Sequence, residues 1–119
     1  MPGALGASSV VTTRLDHIRA NLDAIRARVG DRLVLAAVKA DAYGHGAVEV
    51  ARMIERTGAA DWLGVATTSE GLELRAAGVG LPILKLSVAR GEEVRAAVGA
   101  GLTLCVTDAA SIAEAGAAA

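Results

Sequence analysis

The apolar positions change period along the chain. Val10, Val11 and Thr12 form a short β-branched run that predicts a first strand. From Leu15 the spacing lengthens. Leu15, Ile18, Leu22, Ile25 and Val29 recur three or four residues apart, with Asp16, Arg19, Asp23 and Arg26 between them, the pattern of an amphipathic helix. Gly30 follows as a helix-ending glycine. Leu33 to Lys39 is a continuous apolar run closed by a charge, suited to a strand buried on both faces of a parallel sheet. A glycine-punctuated loop, Ala40 to Gly46, leads into a helix over Ala47 to Thr57, with Ala47, Val50, Ala51 and Ile54 on one face and Gly58 at its end.

The same cycle recurs three more times. Trp62 to Ala66 reads as a strand, and Thr67-Thr68-Ser69-Glu70 has the spacing of a capping box opening a helix that stops near Gly78. Leu81 to Val88 is a strand with Pro82 near its start, where a sheet tolerates proline. Glu92 to Val98 is a short helix with acids in its first turn, Leu102 to Val106 a strand, and Asp108 the N-cap of a last helix. Gly78-Val79-Gly80-Leu81 and Gly99-Ala100-Gly101-Leu102 repeat 21 residues apart, each opening a strand. Strands alternating with helices over short connections imply an α/β fold with a parallel sheet and right-handed crossovers. Two architectures fit: an open doubly wound sheet, or part of a (β/α)8 barrel, which needs roughly 250 residues. A partial barrel would leave an open sheet edge and an uncovered apolar face, and should aggregate or pair.

Composition narrows the function classes. The chain has 119 residues, one domain at most. A hydrophobic share of 53% and a mean hydropathy of +0.45 exclude disorder. Twelve basic and thirteen acidic side chains leave a net charge of −1, without the basic excess of a nucleic-acid binder. Trp62 and Tyr43 are the only aromatics, too few for a base-stacking platform. Cys105 stands alone, so neither an internal disulfide nor a cysteine-rich zinc site is expected. Apolar runs such as Leu33 to Val38 fall far short of the roughly 20 residues that span a bilayer. The first thirteen residues carry no Lys or Arg, so no export signal is expected and a cytoplasmic location is the default.

The segment Ala37-Val38-Lys39-Ala40-Asp41-Ala42-Tyr43-Gly44-His45-Gly46 carries the candidate chemistry. In parallel α/β sheets ligands bind beyond the carboxyl ends of the strands, and Lys39 ends one. Shelter by the apolar strand would lower the pKa of its amine toward the neutral form that condenses with an aldehyde. Gly44 and Gly46 allow close approach of the backbone to a ligand, and the following helix N-terminus is a weak anion site. A lysine at a strand end is also commonly a snorkelling surface residue. Lys85, the other lysine, lies in a strand with no Tyr or Gly-His-Gly after it and is expected at a strand end or edge with a solvated head. His45 reads as a loop histidine bonded to backbone, and His17 as a solvated residue on the polar face of the first helix.

Val38 to Gly46 resembles the pyridoxal-phosphate signature of bacterial alanine racemases. The resemblance extends over about residues 14 to 110: Asp16-His17-Ile18-Arg19-Ala20-Asn21-Leu22 is similar to that family's first helix. Trp62-Leu63-Gly64-Val65-Ala66, Glu70-Gly71-Leu72-Glu73-Leu74-Arg75 and Leu81-Pro82-Ile83-Leu84 are similar to its next two units. It implies a fold-type III enzyme, a cofactor-binding (β/α)8 barrel with a C-terminal β domain, working as a homodimer on alanine. Residues 1–119 would be a partial N-terminal barrel domain. Lys39 would form the internal aldimine, Tyr43 would hydrogen-bond the cofactor phosphate, and Ala37 and Leu86 would lie in the pocket wall. The second base, a tyrosine, and the pyridine-nitrogen partner, an arginine, would lie beyond residue 119. The resemblance thus implies D-alanine supply for peptidoglycan by the intact protein, and negligible turnover by this chain alone. A non-catalytic pyridoxal-phosphate carrier barrel, a racemase of broader specificity, and a decarboxylase of the same barrel class are the alternatives. Two departures stand out. Asp41 occupies a place where the family often has Asn, bringing a negative charge that must point away or pair. Ser8 to Thr13 lacks the family's acid-and-aromatic lead-in strand.

Overall fold

The computed structural model describes Gly6 and residues 8–119. Helix α1 (Leu15–Val29) leads to strand β1 (Leu35–Ala37), a single turn α2 (Lys39–Tyr43) and helix α3 (Ala47–Thr57). Then come β2 (Trp62–Val65), α4 (Thr68–Ala76), β3 (Ile83–Val88), α5 (Glu92–Gly99), β4 (Thr103–Cys105) and α6 (Ala109–Ala118). The four strands are parallel and pair in chain order, β1-β2-β3-β4.

The helices follow the sequence closely because their signals are local. The Thr67–Glu70 capping box forms in both directions, and Asp108 caps α6 through the Ser111 N–H. The strands come out shorter than the apolar runs, and the run Val10 to Thr12 forms none. Val10 and Val11 are 83% and 86% exposed, and no neighbouring strand pairs with them. Branched side chains favour a strand only where a partner supplies the ladder, so four strands are found among the described residues rather than five.

The expectation that β1 is buried on both faces is also overturned. One face of the sheet is packed: Val38, Leu63, Val65 and Ile83 lie against Ala51, Ile54, Leu74 and Ala97 of the helices. The alternate positions Leu35, Ala37 and Leu86 are exposed. Strands joined in chain order by right-handed crossovers put their helices on one side of the sheet. A doubly wound sheet would reverse its order at a switch point, so the one-way order selects the barrel-type alternative. The molecule is accordingly a slab, 56 × 48 × 21 Å. Its radius of gyration of 17.1 Å exceeds the roughly 13–14 Å of a compact chain this long.

The amino ends of the strands are tied by long-range polar contacts. Asp61 Oδ2 accepts from Val34 N–H and from Arg26 Nη2, both at 2.8 Å, joining α1 to the starts of β1 and β2. The Arg75 guanidinium donates to Val79 O and Leu81 O at 2.8 Å, to Ala100 O at 2.9 Å and to Gly101 O at 3.2 Å. It thereby clasps the two glycine-rich repeats that precede β3 and β4.

Candidate functional site

Lys39 leaves the carboxyl end of β1 on the uncovered face of the sheet. Val38 before it is buried among the helices and continues the ladder by donating its N–H to Gly64 O at 2.8 Å. Lys39, Ala37 and Leu35 therefore share one side by strand alternation. Lys39 is half-buried, and no ion pair engages it among the described residues. The apolar shelter expected of β1 lies on the other face, so these residues build only part of the amine's surroundings.

The chain then does something that no helix or loop signal announced. Ala40, Asp41, Ala42 and Tyr43 all have positive φ, at 51°, 55°, 53° and 53°, so α2 winds left-handed after Lys39. Each L-residue there costs roughly 1–2 kcal/mol relative to the right-handed form. Ala42 N–H donates to Val38 O at 2.9 Å, and Asp41 O accepts from Gly44 N–H and Gly46 N–H at 3.1 and 3.0 Å. Gly44 and Gly46 continue with φ of 87° and 90°, conformations for which glycine is suited. The turn brings Tyr43 to the outer edge of β1, where the residue is 69% exposed. It borders a cleft of about 390 Å³ with Ile18, Leu22, Val34, Ala37 and His45.

Asp41 pairs locally. Its Oδ1 accepts from the N–H of Ala47, the first residue of α3, at 2.9 Å. The departure from asparagine is thus absorbed as a helix cap, where a negative charge is favoured. The same bond changes one expectation: the N–H of Ala47 is already engaged by this carboxylate and is not free for an outside anion. His45 donates its backbone N–H to Ala42 O at 3.1 Å and is exposed, as is His17.

Ala37 and Leu86 are brought together across Gly64, which sequence reasoning passed over. A Cβ on Gly64 would meet Leu35 Cδ2 at 2.7 Å, Leu86 Cδ1 at 3.3 Å and Ala37 Cα at 3.6 Å. The missing side chain lets these groups close into one apolar floor beside Lys39. A glycine inside a strand was the available signal.

Lys85 overturns its expectation. It is 1% exposed and is the largest fully buried side chain, on the helix-facing side of β3 in register with Val65 and Leu104. β3 is an inner strand, so its side chain cannot reach solvent sideways. It runs toward the carboxyl end, where Nζ donates to Ser87 O and Oγ at 2.9 Å and pairs with Glu93 Oε1 at 3.2 Å. Glu93 also accepts from Thr68 Oγ1 at 2.8 Å. The Thr68 hydroxyl, and after it Lys85, holds the Glu93 carboxyl below its usual range against a lesser upward push from burial.

A second carboxylate, Glu70, faces the Lys39 turn. Burial pushes its pKa up, but hydrogen bonds from the backbone N–H groups of Thr67, Ala40 and Ala66 outweigh this and hold it below the ordinary value. The residues around Lys39 fit an aldehyde cofactor of ring-and-phosphate shape. They offer a primary amine, an exposed phenol, an apolar floor and two glycines with open space where a Cβ would sit. Among the described residues no group of three potential metal-binding side chains clusters, and no helix is long and apolar enough to cross a membrane.

Comparison with known proteins gives one family. The family described as alanine racemase, N-terminal domain, matches residues 13–119. The chain is 58% identical over 94 residues to an alanine racemase of Cutibacterium acnes, covering 79% of this chain and 25% of that one. It is 44% identical over 105 residues to one of Frankia casuarinae, covering 88% and 27%. Among solved structures, alanine racemase of Clostridium difficile superposes with a TM-score of 0.82 at 37% identity, covering 87% of this chain and 27% of that one. Alanine racemase of a D-cycloserine-producing Streptomyces lavendulae gives 0.79 at 40% identity, covering 92% and 30%. The chain spans about a quarter of the length of the curated relatives it matches.

Proposed function

The chain belongs to the alanine racemase N-terminal domain family, and on that premise we propose that it carries the lysine-bearing part of a pyridoxal-phosphate-dependent alanine racemase. In this reading residues 1–119 are the first part of a (β/α)8 barrel. The remaining strands and a C-terminal β domain belong to the longer protein. The intact enzyme, a cytoplasmic homodimer, interconverts L- and D-alanine and so supplies D-alanine for peptidoglycan. The observation that carries the proposal is the placement of Lys39. It is the one lysine at a carboxyl strand end on the uncovered face, while the only other, Lys85, is buried and fully engaged.

Each residue then has a stated task. The chemistry supplied by pyridoxal phosphate when bound is withdrawal of electron density from the Cα–H bond of an amino acid. The Lys39 amine holds the cofactor through its Nζ, and serves as the base on one face of the substrate's Cα. Tyr43 donates its hydroxyl hydrogen to the phosphate. Its position at the outer edge of β1 supports this role, because phosphate sites in such barrels are built by the loops after strands 7 and 8, next to the first strand. Ala37 and Leu86, closed over Gly64, wall the ring and exclude water. A base for the opposite face is supplied from outside these residues, so the 119-residue chain alone turns over alanine negligibly.

The test uses the reactivity of amines. The chain is incubated with pyridoxal phosphate, reduced with borohydride and mapped by peptide mass spectrometry. The label is expected on Lys39, with no D-alanine formed from L-alanine. Label confined to Lys85 or the amino terminus would overturn the assignment of Lys39. Turnover matching a complete racemase would overturn the missing-base argument.

A further inference from the structure

The left-handed turn after Lys39 needs an anchor. Four consecutive non-glycine residues with positive φ are individually unfavourable, and such strain persists only where surrounding contacts over-determine it. The first backbone donor after Lys39 is Ala40 N–H. It donates to Glu70 Oε2, thirty residues further on in α4. The other oxygen, Oε1, accepts from Ala66 N–H and Thr67 N–H, both at 2.8 Å. A capping box requires only the Thr67 bond. The bonds to Ala66 and Ala40 are additional, and they join the loop after β2 to the turn after β1.

The platform under Glu70 is itself braced. Ala66 O accepts from Ser87 Oγ. Ser87 accepts from Lys85 Nζ, which pairs with Glu93, which in turn accepts from Thr68 in the first turn of α4. A buried amine leaves few arrangements open to its partners, since any lost bond strands a polar group without water. Ala66 and Thr68, on either side of Thr67, are therefore held from below, and Glu70 transmits that fixed position to Ala40.

We propose that Glu70 is a positioning residue for Lys39: its carboxylate pins the Ala40 N–H to the braced loop after β2, and so sets the direction in which the Lys39 amine leaves β1. The proposal rests on the reading of Lys39 as the cofactor lysine, and deepens it.

Two substitutions separate this role from helix capping. Glu70→Ala removes all three bonds, whereas Thr67→Ala weakens the cap of α4 but leaves Glu70 able to reach Ala40. Two readouts are taken on the 119-residue chain. One is amide hydrogen exchange at Ala40 by NMR. The other is the rate of Lys39 labelling by pyridoxal phosphate and borohydride, in which the amine adds to the aldehyde, water leaves and borohydride delivers hydride to the carbon. Glu70→Ala is expected to raise Ala40 exchange at least tenfold and slow Lys39 labelling at least fivefold. Thr67→Ala should leave both within twofold of the parent. Where Glu70→Ala does not fold, Glu70→Gln carries the same comparison, since it has one acceptor oxygen for two directions. Equal effects of the Glu70 and Thr67 substitutions, or an unchanged Ala40 exchange, would overturn the positioning role. Failure of the parent to be labelled at Lys39 would sink the cofactor assignment instead, and the exchange measurement would still judge the anchor.

Discussion

Asp41 shows how a single side chain can look hazardous in sequence and be harmless in place. A carboxylate two residues from Lys39, the lysine proposed to hold the cofactor, should repel a phosphate, yet its oxygen is turned onto the Ala47 N–H at the start of α3. An asparagine oxygen can accept the same bond. Asp41→Asn is therefore expected to leave stability within about 0.5 kcal/mol of the parent, whereas Asp41→Ala should cost about 1 kcal/mol. Urea unfolding of the three chains measures this. An asparagine variant as unstable as the alanine one would show that charge, rather than the hydrogen bond, fixes the loop. Lys39, Tyr43, Ala37 and Leu86 were all nameable from the motif and its family resemblance. The contacts that Gly64 and Glu70 make beside Lys39 were not, because their partners lie far off in the chain.

At the scale of elements, the connections at the amino ends of the strands bear on stability, while those at the carboxyl ends bear on the site, the division expected of parallel α/β barrels. Arg75 is the main example. Its five donors in a planar fork suit several carbonyls at once, and it meets four, from Val79, Leu81, Ala100 and Gly101. Arg75→Ala is expected to destabilise the chain by about 2–4 kcal/mol. Arg75→Lys should recover little of it, because one ammonium cannot span both repeats. Lys39 labelling should survive in mild conditions for either variant. Denaturant unfolding with labelling in parallel checks both, and a lysine variant as stable as the parent would refute the clasp.

For the molecule as a whole, four carboxylates are held in their charged form by hydrogen bonds that only the fold supplies. Asp61 is held below its ordinary pKa by the Val34 N–H and then by Arg26. Asp108 is held down by the backbone and hydroxyl of Ser111 and then by Arg90. Glu70 and Glu93 are depressed as well. A group whose folded pKa lies below its unfolded one stabilises the fold above the unfolded value, and loses that contribution as pH falls through the folded one. With unfolded carboxyls near 4, the urea midpoint should be level from about pH 7 to 5 and drop below about pH 4. A midpoint that rises on acidification would contradict this coupling. The slab shape belongs to the same scale: one layer of helices on one face of four strands leaves Leu35, Ala37 and Leu86 uncovered.

The sequence by itself determined the helices and their caps, the alternation that makes the strands parallel, and the lysine at a strand end, while the order of the strands came only with the fold. These depend on residues within a turn or two of one another, or on a period that a single chain displays. Tertiary structure alone decided which face of the sheet is packed, because that follows from the direction of successive crossovers. It buried Lys85 instead of leaving its head in solvent, because only the fold places Ser87 and Glu93 around that amine. It also wound Ala40 to Tyr43 left-handed. Local energetics oppose that turn, and contacts with distant groups, among them the Ala40 N–H donated to the Glu70 carboxylate, hold it in place.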